Sequence, residues 1–196
     1  MIKRVTGLSE KELLSNLSAL KDSELVFERG IFPESTYIFK HALTREVVYG
    51  SILIKRKKKL HEEIGQAIEE LYKNSIDEHY GVLAEHYSES ENHEKAAIYL
   101  KRAAQKAGKS GSLTEAIAYT NKLISSLERL PRTDEFQKMI IDAKTLLGLR
   151  LIEMNYFIEA KEAITPIIDM ALESNYEKRI SQIFSIIGSY ELCIEE

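Results

Sequence analysis

One cysteine in 196 residues, Cys193, rules out an internal disulfide framework and suits a reducing compartment. Three prolines and nine glycines leave little room for loops. No apolar run approaches the ~20 residues that a membrane helix needs. The opening MIKRVTGLSEKELL is basic but has no apolar stretch behind it, so it does not read as a secretory signal. Lys and Arg number 27 against 31 Asp and Glu, so no global basic field favours nucleic acid. What remains is an ordinary globular composition, 44% hydrophobic and 30% charged, long enough to bury a core without staples. A soluble, mostly helical, cytoplasmic protein is the expectation.

Ser9 followed by Glu12 is a capping box, and Leu13, Leu14, Leu17 and Leu20 follow at helical spacing, which predicts a helix over 9–21. Leu25-Val26-Phe27 and Tyr37-Ile38-Phe39 flank the Gly30 and Pro33 turn signals, which predicts a hairpin. From His41 onward the periodicity is helical. Helices are expected over 41–54 (Leu43, Val47, Val48, Ile52), 56–74 (Leu60, Ile64, Ile68, Leu71) and 77–89 (Val82, Leu83, Ala84, Tyr87). Five more follow over 93–108, 113–130, 133–154, 156–174 and 177–195, with a bend at Pro166 near Thr165. Short connections between such helices imply neighbours stacked in order.

Small residues recur in a pattern. A frame from Asp77 places Tyr80, Leu83, Ala84, Tyr87, Ala96, Leu100 and Ala103 where a 34-residue helix–turn–helix repeat needs them. A frame from Ile141 places Leu147, Gly148, Ala160, Ile164 and Ile167 likewise, with Leu151 where an aromatic is usual. A third, from Ser181, offers Phe184, Ile187 and Gly188. These frames resemble tetratricopeptide repeats, in which the paired helices cross closely at small residues. A plain helical bundle is the alternative.

The segment YIFKHALTREVVYGSILIKRKKKLHEEIGQAIEEL resembles the junction between winged-helix and tetratricopeptide regions of multidomain bacterial signal-transducing ATPases. These are the regulators that join a P-loop ATPase to a nucleotide cyclase, a kinase or a transcription-factor domain. The family pattern is met by Tyr37, Phe39, His41, Ala42, Leu43, Arg45, Glu46, Val47, Tyr49, the basic run, Leu60 and His61. The resemblance covers about residues 8–130, and 131–196 only as generic repeats. It implies a sensor and scaffold region that follows the ATPase, with no catalyst and no cofactor. The P-loop domain and the first winged-helix helices are missing, so the chain is expected to be a fragment. The implied architecture is mainly α: a partial winged helix with a short β-hairpin (1–54), a junction helix (55–76), and a tetratricopeptide-like stack, an α–α superhelix, over 77–196.

Ala103-Ala104-Gln105-Lys106-Ala107-Gly108-Lys109-Ser110 imitates a phosphate-binding loop, and Met139–Asp142 imitates its partner strand. A phosphate cradle needs a strand leading in, whereas a helical pattern leads in here, with Gly108 expected as its C-terminal cap. The five histidines form no metal pattern: His61-Glu62 lacks a second histidine four residues after the first, and His79 and His86 stand ~10 Å apart along a helix. His41 is expected to cap or pack at the strand-to-helix junction.

Lys55, Arg56, Lys57, Lys58 and Lys59 are the strongest charge feature, a candidate interdomain or phosphate contact. A helix spreads them over all its faces. The first helix, with Glu10, Glu12 and Asp22 against Lys11 and Lys21, is a poor one to lay on phosphates. A DNA-binding regulator is the rival function; nucleic acid and membrane are not among the expected partners. In the Asp77 frame the inward positions are Glu78, Gly81, Glu85, Ser88 and Glu89, an acidic patch suited to a basic or amphipathic protein segment, or to the chain's own absent ATPase domain. Ile183, Phe184, Ile187 and Ile194 have no following helix to cover them, so self-association through the C-terminal repeat is expected. Incubation with ATP and magnesium is expected to release no phosphate above the buffer blank; turnover abolished by Lys109→Ala would reinstate the nucleotide site.

Overall fold

The computed structural model describes residues 1–30 and 35–194. The protein is mainly helical with one two-stranded antiparallel sheet, and divides into compact units Met1–Lys73 and Asn74–Glu196. No helix among the described residues is long and apolar enough to cross a membrane.

The first unit runs α1 (Ile2–Thr6), α2 (Glu10–Asp22), β1 (Val26–Arg29), β2 (Thr36–Phe39), α3 (Ala42–Ser51) and α4 (Ile54–Leu71). The capping box at α2 is present: Ser9 Oγ accepts from the Glu12 amide, and the Glu12 carboxylate accepts from Ser9 N at 3.0 Å. The strands pair with Val26 opposite Phe39 and Arg29 opposite Thr36. Gly30 enters the turn at φ 99°; Pro33 lies outside the described residues. His41 occupies the N-cap of α3 without a side-chain capping bond.

Leu14 and Leu20 of α2 and Leu43, Val47 and Val48 of α3 are exposed, and neither helix buries a residue. Among the described residues of this unit, burial is confined to Val26 and to Gly65, Ala67 and Ile68 of α4. α2 packs on β1 and α3 on β2, and Leu13 and Leu17 are half-buried.

The second unit opens with a 3-10 turn, Ile76–His79, followed by α5 (Tyr80–Glu89), α6 (His93–Lys109), α7 (Leu113–Leu127) and α8 (Asp134–Glu153). Beyond lie α9 (Phe157–Ile164), α10 (Ile168–Glu173) and α11 (Glu177–Ile194). Each of α5 to α8 packs on the next, α8 packs on α9, and α11 packs on both α8 and α9. Pro166 sits in a 3-10 turn, Thr165–Ile167, after which the helix resumes. Its missing N–H interrupts the ladder for one turn only.

The turns share one geometry. Glu91, Gly111, Asn155 and Asn175 take left-handed φ values of 60°, 79°, 62° and 50°. After each, the next amide reaches back across the helix end: Asn92 to Tyr87 O, Ser112 to Ala107 O, Tyr156 to Leu151 O and Tyr176 to Ala171 O. These are Schellman-type ends, and three of the four use a residue other than glycine. Within the frames from Asp77 and Ile141 the turn residues fall at equivalent positions: Glu91 matches Asn155, and Gly111 matches Asn175.

The small residues sit at close approaches. Ala84, Ala96 and Ala160 are buried to 1% exposure or less. A Cβ on Gly148 would meet Ile186 Cδ1 at 2.8 Å and Ile164 Cγ2 at 2.9 Å, and the Ala160 carbonyl lies at 3.4 Å. Around them Ile141, Ile164, Ile167, Ala171, Ile183 and Ile186 form one core. Asp142 ties α8 to α11 there, accepting from Arg179 Nε at 2.6 Å and from the Tyr176 hydroxyl at 3.1 Å.

Three expectations change. Val82 is 45% exposed, because α5 turns only Leu83, Ala84 and Tyr87 onto α6. Ile183, expected to be bare, is buried in the core, whereas Phe184 and Ile194 are exposed. Gly108 is not a cap: α6 continues to Lys109, Ser110 is the C-cap, and Gly111 takes the left-handed turn. Gly108 instead makes room for Arg150, whose Nη2 would stand 3.0 Å from an added Cβ. Arg150 reaches from α8 to donate to Thr120 Oγ1 (2.7 Å), Ala116 O (3.2 Å) and Ala104 O (3.1 Å), joining three helices.

Gly148→Ala is expected to lower stability by about 1–3 kcal/mol, because the added methyl has no space. Gly188→Ala, on α11 with nothing within 4 Å, is expected to raise it by about 0.5–1 kcal/mol through helix propensity. Urea denaturation of both variants checks the pair; equal effects would remove the close-crossing role of Gly148.

Candidate docking cleft

Helical spacing sorts α5 into two faces. Leu83, Ala84 and Tyr87 turn inward, and Tyr87 stacks on Tyr99 of α6 with centroids 5.6 Å apart. Lys95 lies over the Tyr87 ring at 4.8 Å, and its ammonium donates to the Tyr87 hydroxyl at 3.0 Å. Held by this packing, the other face lines a cleft of about 920 Å³. Glu78, Gly81, Glu85, Ser88 and Glu89, the five positions singled out in the Asp77 frame, all border it.

The floor comes from α6, where Leu100, Ala103 and Ala107 are short or sunken and keep the cleft open. The far wall comes from α7 and the residues after it: Glu115, Tyr119, Lys122, Ser126 and Arg129. Sequence reasoning missed this wall. Its signal was available: the alternating four- and three-residue spacing of those five puts them on one face, opposite the apolar stripe of Leu123, Ile124 and Leu127.

Gly81 brings the walls together. A Cβ there would stand 2.6 Å from the Tyr119 hydroxyl, so an added methyl would push the tip of the phenol away from α5. Burial pushes the Tyr119 phenol above its usual range, and the negative charges of Glu115 and Glu85 push the same way. Both carboxylates therefore act on one point of the cleft. Lys106 Nζ caps the neighbouring end, donating to Asp77 O at 2.7 Å with the Asp77 carboxylate at 4.0 Å.

The basic run belongs to the first unit, on α4. Lys57 sits over the Tyr49 ring at 4.5 Å, and the Tyr49 hydroxyl is 2.9 Å from His61 Nε2. Lys59 pairs with Glu63 at 3.6 Å, whereas Lys55 and Arg56 are exposed, so the run is spread around the helix. Lys21 and Lys40 beside the hairpin pair with Glu28 at 2.7 Å and Glu24 at 2.8 Å. The hydrogen bonds from Lys21 and from the Tyr37 hydroxyl hold the Glu28 carboxyl down at about 2. Residues 103–109 are helical throughout, so no loop there can wrap a phosphate. Among the described residues no three His, Cys, Asp or Glu side chains group to hold a metal.

Because the native state favours the neutral phenol of Tyr119, its contribution is steady below pH 10 and is lost as pH rises through the elevated folded value. A pH titration followed by tyrosine ring NMR is expected to place Tyr119 above the ordinary tyrosine range, and Glu115→Gln to bring it part of the way back. An unshifted Tyr119 would mean that the hydroxyl is solvated rather than set between the walls.

No family model, curated protein sequence or solved structure matches the chain.

Proposed function

We propose that the chain is a non-catalytic protein–protein interaction and regulatory module that captures a positively charged protein segment in the α5–α6–α7 cleft. The observation that carries this is the joint placement of Glu78, Gly81, Glu85, Ser88 and Glu89 on one cleft with an open acidic wall. Desolvated complementary charge gives such a surface its specificity and on-rate, and the small-residue floor gives it depth.

The repeat architecture supports the same reading. Equivalent left-handed turns at Glu91 and Asn155, and at Gly111 and Asn175, together with close crossings at Ala84, Ala96, Gly148 and Ala160, fit a tetratricopeptide-like stack. The helix-then-hairpin order of the first unit fits the end of a winged helix. With the junction pattern around His41, this favours the sensor and scaffold region of a cytoplasmic signal-transducing ATPase. Docking at the cleft would then act on the ATPase by holding it closed or releasing it. Phe184 and Leu192 stand exposed eight residues apart on α11, a face that suits a further helix or a second copy. The pairing of Lys21 and Lys40 with acids weakens the DNA-binding alternative.

The test is fluorescence anisotropy with a labelled twelve-residue peptide carrying four lysines. Saturable binding is expected that weakens with salt and falls at least tenfold in the Glu78→Lys, Glu85→Lys, Glu89→Lys triple variant. Absence of binding, or binding indifferent to that variant, would overturn the docking role. Tight, salt-dependent binding of a DNA duplex that is lost on reversing Lys55 and Arg56 would transfer the function to the first unit.

A further inference from the structure

The cleft is not uniformly acidic. Around Tyr119 stand Glu85 on one wall and Glu115 on the other, with Glu78 beyond, while the Lys106 ammonium is engaged by Asp77. One to three turns further along the α7 wall the sign changes: Lys122 and Arg129 border the cleft, which Glu89 of α5 also lines. Among the described residues neither cation forms an ion pair with Glu85 or Glu89 across the gap, and both are exposed. The walls therefore keep their charges available, negative at one end and with a surplus of positive charge at the other.

The geometry points to an occupant with two separated charges: an extended peptide segment whose Lys or Arg side chain sits beside Tyr119 between Glu85 and Glu115, and whose carboxylate meets Lys122 and Arg129. This occupant presupposes the docking role proposed above and adds its polarity. At 1.5 Å per residue Lys122 stands about 5 Å beyond Tyr119 along α7 and Arg129, just past the helix end, about 15 Å, so their midpoint is about 10 Å away. An extended chain covers that distance in three to four residues. In an extended segment a basic and an acidic residue four positions apart span this distance with both side chains on one face.

The probes are two capped pentapeptides, Lys-Ala-Leu-Ala-Glu and Lys-Ala-Leu-Ala-Gln, titrated at millimolar concentration into the ¹⁵N-labelled full chain and followed by amide shifts. The Glu peptide is expected to bind about threefold more tightly, the scale of one partly exposed ion pair. That advantage is expected to vanish in the Lys122→Ala, Arg129→Ala double variant. Glu85→Gln with Glu115→Gln is expected to weaken both peptides alike. Equal binding of the two peptides by the unaltered protein would overturn the inference and leave the docking role intact. If neither peptide moves the amides of Gly81, Glu85, Tyr119 or Lys122, the inference and the docking role fall together.

Discussion

Arg150 is the constraint on which the second unit depends. It grows from α8 but spends its hydrogen bonds on α6 and α7, on the Ala104 and Ala116 carbonyls and the Thr120 hydroxyl. All three acceptors are neutral, so a half-buried charge is satisfied by dipoles, and burial lowers its pKa despite the opposing field of Glu153. Such a group is costly unless its donors are met in fixed geometry. The need to meet them sets how α6, α7 and α8 lie against one another. Gly108 supplies the space, and buried Thr120, itself donating to Ala116 O at 2.7 Å, supplies an oriented acceptor. The cleft inherits this order, because its floor is α6 and its far wall is α7.

On either side of that clamp the packing differs in kind. Between α5 and α6 it is aromatic, with Tyr87 stacked on Tyr99 and Arg102 5.6 Å from the centroids of Tyr80 and Tyr99. Among α8, α9 and α11 it is aliphatic and close, built on isoleucines and on Gly148, with the Asp142–Arg179 pair at its edge. Aromatic packing leaves α5 with a free polar face, and the free face is what makes a cleft. The aliphatic half is tightly crossed where the first half is open.

Some features were legible before any coordinates. The Ser9–Glu12 box, the hairpin runs, the small residues of the two repeat frames and the acidic face of α5 follow from local rules that need only a few neighbouring residues. Gly108 was misread for the same reason: glycine near a helix end usually caps it, and nothing nearby in sequence announces a guanidinium arriving from 42 positions later. Val82 and Ile183 were misassigned because periodicity fixes which residues share a face, not how wide the covered strip is. In α2 and α3 amphipathicity states what a helix could bury and not how much of it is covered, and Leu14, Leu20, Leu43, Val47 and Val48 are exposed.

The sequence by itself determined the helices, their turns and the acidic face of α5, because hydrophobic period, capping chemistry and turn residues act over one or two turns of chain. Only the tertiary structure decided that this face has a second wall, that Gly81 lets Tyr119 close against it, and that the charge changes sign along the cleft. Those facts pair residues roughly 40 positions apart, Gly81 with Tyr119 and Ala104 with Arg150, across helices whose spacing is set by packing and by the hydrogen-bonding demand of one half-buried charge.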